Sequence, residues 1–111
     1  LRHLRDGVCG DTQVLSAESL AFMRENRGGE LGTDYGMGWW INPGQDGEST
    51  IYYDPGAFGA ISWIDLERGI GGYVGIDDYT REDPGAVYAF VLQTVIPLQQ
   101  QAVDEARGDT P

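Results

Sequence analysis

The sequence predicts an α+β fold: an antiparallel sheet of three to five strands with a long C-terminal helix laid on one face. Three observations carry this. Runs rich in aromatic and β-branched residues recur between Tyr35 and Ile76, each closed by Gly, Pro, Asn or Asp. A helical stripe of Val87, Tyr88, Val91, Leu92, Val95 and Ile96 follows them. A shorter helical pattern precedes them. Helix, strands, helix in that order belongs to α+β architecture.

Taken in order, Leu1-Arg2-His3-Leu4-Arg5 reads as the last turns of a helix, ended by Gly7. The expectation is that the chain is a piece of something longer, with a disordered tail at 107–111. Residues Gly7 to Thr12 read as a loop. A helix from about Ala17 to Asn26 starts on Ser16 as N-cap, with Glu18 in its first turn and Gly28-Gly29 stopping it. Residues 30–34 form a polar loop. Strands are expected over Tyr35–Ile41, Ser49–Tyr53, Ala60–Leu66 and Ile70–Ile76, the last two joined through Glu67-Arg68-Gly69. Glycines 69, 71, 72 and 75 mark either a bulge or close packing of a helix onto the sheet. Asp83 caps the terminal helix with Pro84 at its first position, and Pro97 kinks or ends it. A more polar helix resumes from Gln99 to Ala106.

With 111 residues, 41% hydrophobic and 11% aromatic, the chain makes one globular domain with a modest core. A net charge of −11 argues against nucleic acid and anionic membranes as partners, since both reward basic clusters. All seven basic residues are Arg, a bias that fits either a high-salt habitat or a GC-rich genome. No apolar run is long enough to span a membrane, and there is no signal peptide, so a soluble protein of open localisation is expected. Cys9 is solitary, which rules out an intrachain disulfide. His3 has no Ser or Asp spaced for a triad. The acidic group Asp77, Asp78, Glu82 and Asp83 lacks calcium-loop spacing and reads as a solvated loop. No cofactor and no metal are expected.

The most informative stretch is Tyr52-Tyr53-Asp54-Pro55-Gly56-Ala57-Phe58-Gly59, where a Pro-Gly break separates two strands. With Tyr35-Gly36-Met37-Gly38-Trp39-Trp40 before it and Leu66-Glu67-Arg68-Gly69 after it, this segment resembles the C-terminal part of serine β-lactamase-like hydrolases. That family includes penicillin-binding DD-peptidases and esterases. The resemblance covers roughly residues 1–96. It implies a partial β-lactamase-like sheet domain, with a Lys/His-x-Gly strand walling an active site and a backbone N–H beyond its Gly in the oxyanion hole. Carried over, Asp54 and Gly56 occupy the motif and Ala57 supplies the amide. Tyr53, Pro55 and Phe58 lie where substrate would bind.

The departures are large. A serine nucleophile needs a neighbouring base, yet the chain has no Lys and so no Ser-x-x-Lys; nor is there a Tyr-x-Asn. Ser16-Ala17-Glu18-Ser19 is a helix start. An Asp carboxylate at position 54 repels the anionic substrates that a Lys or His would attract. The chain alone is therefore expected to be inactive. Its expected partner is a missing N-terminal part of the parent enzyme or a second copy of itself, as a homodimer; a non-catalytic interaction module is the alternative. Asp54-Pro55-Gly56 reads equally as a plain turn. Most of Trp39, Trp40, Tyr52, Tyr53, Phe58 and Trp63 are expected in the core.

Overall fold

A computed structural model describes residues 5–42, 50–56, 59–75 and 84–108. The fold is α+β. A two-stranded antiparallel hairpin, β1 (Val8–Cys9) and β2 (Thr12–Gln13), comes first, where the sequence suggested a loop. Helix α1 follows over Ala17–Arg24. A four-stranded antiparallel sheet runs in the order β3 (Trp40–Asn42), β4 (Ile51–Pro55), β5 (Ala60–Asp65), β6 (Ile70–Gly75). The terminal helix comprises α2 (Pro84–Phe90), a π turn (Val91–Val95) and α3 (Ile96–Arg107).

Contacts between Cα atoms divide the chain into two compact units. The first contains Leu1–Asp54 and Ser62–Tyr73; the side chains buried in it are Leu20, Ile51, Trp63, Ile64 and Asp65. The second contains Pro55–Ile61 and Val74–Pro111, with Ile61, Val91 and Ile96 buried.

Ser16 caps α1 as expected, its hydroxyl accepting from the Ser19 N–H at 3.1 Å. The helix nevertheless stops at Arg24, with Glu25 extended as its C-cap, before Gly28-Gly29 is reached. Those glycines instead enter a 3-10 turn, Gly29–Leu31, in the stretch expected to be a loop. The strand expected over Tyr35–Ile41 shrinks to Trp40–Asn42. Tyr35 meets Trp40 in an isolated bridge, and the Gly36 N–H donates to the Trp39 carbonyl at 2.8 Å, so Gly36 to Trp39 form a turn. A Cβ on Gly36 would sit 2.8 Å from the Met23 carbonyl oxygen, which explains the glycine. Register then follows, with Trp40 opposite Tyr53, Ile41 opposite Tyr52 and Asn42 opposite Ile51.

The Pro-Gly break separates two strands as expected, with β4 ending on Pro55 and β5 starting at Ala60. Of the two outcomes expected at Pro97, a kink or an end, the end does not occur: the terminal helix continues to Arg107 and closes on Gly108. Proline lacks an N–H and its ring crowds the carbonyl four residues back. The π turn just ahead absorbs this, widening the ladder so that the Ile96 N–H reaches the Val91 carbonyl. Residues Leu1 to Leu4, Asp83 and the 109–111 tail lie outside the described residues.

Candidate functional site

Of the six residues that the resemblance singles out, four are consecutive at the end of β4. Tyr53 and Asp54 belong to the first unit, Pro55 and Gly56 to the second. Ala57 and Phe58 lie outside the described residues. Strand alternation sends Tyr53 and Pro55, both half-buried, to one face and the exposed Asp54 to the other.

Gly56 is the best-anchored of the four. Its N–H donates to the Ala60 carbonyl at 2.5 Å, and its carbonyl accepts from the Gly59 N–H at 3.2 Å. The same carbonyl accepts from the Tyr88 hydroxyl at 2.8 Å, a bond between residues 32 apart in sequence. Tyr88 was legible only as part of the apolar stripe of the terminal helix. Its hydroxyl holds the backbone at the exit of β4, a role that no periodicity signals.

Burial first, and the Asp34 carboxylate second, push the Tyr53 hydroxyl above the usual tyrosine value. Asp34 itself is fixed by the Asn26 side chain, whose Nδ2 donates to Asp34 Oδ1 at 2.6 Å. Asn26 Oδ1 also accepts from the N–H groups of Gly28 (3.1 Å) and Tyr35 (3.3 Å). One amide thus holds together the connection between α1 and β3.

That connection borders an open cavity of about 310 Å³, lined by Arg27, Gly28, Leu31, Thr33, Tyr35 and Trp40. The Tyr35 and Trp40 rings meet edge to face at 5.1 Å, and Leu31 is 84% exposed. The Arg27 guanidinium lies 3.8 Å over the Phe22 ring and 2.7 Å from Glu25, so its charge is already engaged. The sequence reading identified the two aromatics but not the cavity, because Arg27, Leu31 and Thr33 converge through turn hydrogen bonds that no periodicity signals. The Arg27 N–H donates to the Tyr35 carbonyl, and the Leu31 and Thr33 N–H groups donate to the Gly28 carbonyl.

The aromatic concentration is less buried than expected. Trp63 is in the core at 3% exposure, whereas Trp40 is 38% exposed and Trp39, Tyr52 and Tyr53 are half-buried. Cys9 is exposed on β1. Among the described residues, no three His, Cys, Asp or Glu side chains come together, and no helix is long and apolar enough to cross a membrane. His3 and the acidic residues Asp77, Asp78, Glu82 and Asp83 lie outside the described residues. No family model, curated protein or solved structure matches the chain.

Proposed function

We propose that the chain is the C-terminal segment of a serine β-lactamase-like hydrolase, inactive in isolation. In this reading it contributes the strand that walls the active site and the backbone of the oxyanion hole. The observation that supports it is the anchored exit of β4. Oxyanion stabilisation depends on donors that do not reorganise during reaction, so the backbone presenting them must be held still. The Tyr88–Gly56 bond does this at the residue that stands for the motif glycine.

Asp54 narrows the substrate. An exposed carboxylate in place of Lys or His disfavours substrates carrying their own carboxylate, so the reading favours neutral esters or amides cleaved through an acyl-serine. In this reading the serine and its base lie upstream in the parent enzyme or have been lost. A second reading, a non-catalytic interaction or oligomerisation module, is supported by the lack of any Lys and by exposed Leu31, Tyr35, Trp40 and Tyr73.

A serine-directed fluorophosphonate probe, applied to the full product of the encoding gene and to the 111-residue chain, separates the two. The expected result is labelling of a Ser-x-x-Lys serine in the longer product and none on the chain alone. A gene with no such motif upstream, or a longer product that resists labelling, leaves the interaction module. Labelling of the chain alone would contradict its inactivity.

A further inference from the structure

The outer strands of the four-stranded sheet are unlike edges. β3 spans only Trp40–Asn42, and very short edge strands are one of the ways proteins discourage unwanted pairing. β6 spans Ile70–Gly75 and carries no charged residue and no proline. Its residues alternate half-buried and exposed with none buried, and Tyr73 is 69% exposed. On the neighbouring β5, Ile61, Trp63, Ile64 and Asp65 are all buried. Burial thus falls away at β6 although the strand is as long as β5. Among the described strands, β6 alone is a long edge without the usual protection.

We propose that β6 is a strand-pairing edge and that its occupant is β6 of a second copy of the chain, added antiparallel about a two-fold axis. Charge confines this occupant to β6. With a net charge of −11, two copies repel wherever their acidic surfaces meet. The six residues of β6 are a neutral window, and pairing the strand with itself sets no carboxylate opposite another within it. Antiparallel addition of identical strands is also self-complementary, as a two-fold interface requires. Gly71 and Gly75, both exposed, leave room for the incoming backbone. The inference is independent of the hydrolase reading, because it concerns only the edge and the charge.

Light scattering coupled to size exclusion at moderate salt, over a rising protein concentration, tests it. The expected result is a shift from 12.1 kDa toward twice that mass. Tyr73→Glu, which places like charges near each other across the axis, should keep the chain monomeric over the same range with an unchanged far-ultraviolet circular dichroism spectrum. Tyr73→Ser should still pair, because the contact runs through main-chain hydrogen bonds. If Tyr73→Glu fails to fold, hydrogen exchange on the wild type decides, with β6 amides expected to gain protection as concentration rises. A monomer at every concentration would overturn the proposal. So would a dimer that survives Tyr73→Glu, or one whose β6 amides exchange at a rate independent of concentration.

Discussion

The two strands flanking β5 solve the same packing problem in opposite ways. β4 is Ile-Tyr-Tyr-Asp-Pro and supplies bulk: Ile51 is buried and both tyrosines are half-buried. β6 is Ile-Gly-Gly-Tyr-Val-Gly and buries no residue. The cause lies on β5. A Cβ placed on Gly72 would fall 2.5 Å from Trp63 Nε1 and 2.8 Å from its Cε2, closer than such atoms approach. The indole therefore occupies the space that a β6 side chain would need. Glycine normally weakens a strand interior, but here its loss of packing is made good by a large neighbour. One group goes unsatisfied in this exchange, since the buried Trp63 Nε1–H has no hydrogen-bond partner among the described residues.

The largest expected effect comes from breaking the turn that joins β5 to β6. Asp65 is fully buried, and its carboxylate accepts from the N–H groups of Glu67 and Arg68, both at 3.0 Å. Arg68 Nη1 adds a bond at 3.1 Å. Asp65→Ala strands two turn donors and leaves a largely buried guanidinium without that carboxylate, at a cost of about 3 kcal/mol in urea denaturation. Asp65→Asn keeps an acceptor for the turn and should cost about half as much. Equal losses for the two variants would show that charge alone holds the turn.

Next in size is Gly72→Ala, which tests the comparison directly. Its Cβ meets a ring whose residue is 3% exposed, so the indole has little room to yield, and overpacking of this kind costs about 2 kcal/mol. Trp63→Phe shrinks the obstacle. In a double-mutant cycle the second change should recover at least about 1 kcal/mol of the first. Additive losses would mean that Gly72 serves the backbone and not the indole.

These contacts separate what the sequence made legible from what it did not. The α+β class, Ser16 as cap, the turn at Leu66–Gly69 and the start of the terminal helix at Pro84 all follow from local chemistry, and the structure has them. The glycines of β6 suggested a bulge or a closely packed helix, whereas at Gly72 it is the Trp63 indole of the neighbouring strand that comes close. β1 and β2 are two residues each, too short for any periodicity. Pro97 does not end the helix, because a π turn upstream compensates for it. In the candidate site, the contiguity of Tyr53 through Gly56 was visible at once. The bond from Tyr88 was not, because an apolar stripe accounts for the ring and leaves the hydroxyl unmentioned.

The smallest expected effect concerns the β4 side of the comparison and vanishes at neutral pH. Tyr53 faces a price for its bulk that no glycine meets: burial, and then the Asp34 carboxylate, raise the proton affinity of its hydroxyl. An unfolded tyrosine ionises near pH 10 and this one ionises later, so just above that pH the unfolded chain binds fewer protons than the native one. Stability from this group is therefore complete below about pH 10 and is lost as pH rises through the folded value. Denaturation of wild type and Tyr53→Phe across the alkaline range should show a shallower decline in the variant. Asp34→Asn, which removes only the lesser cause, should shift the ultraviolet titration of Tyr53 part of the way back. A full return with Asp34→Asn would make charge, and not burial, the dominant influence on β4.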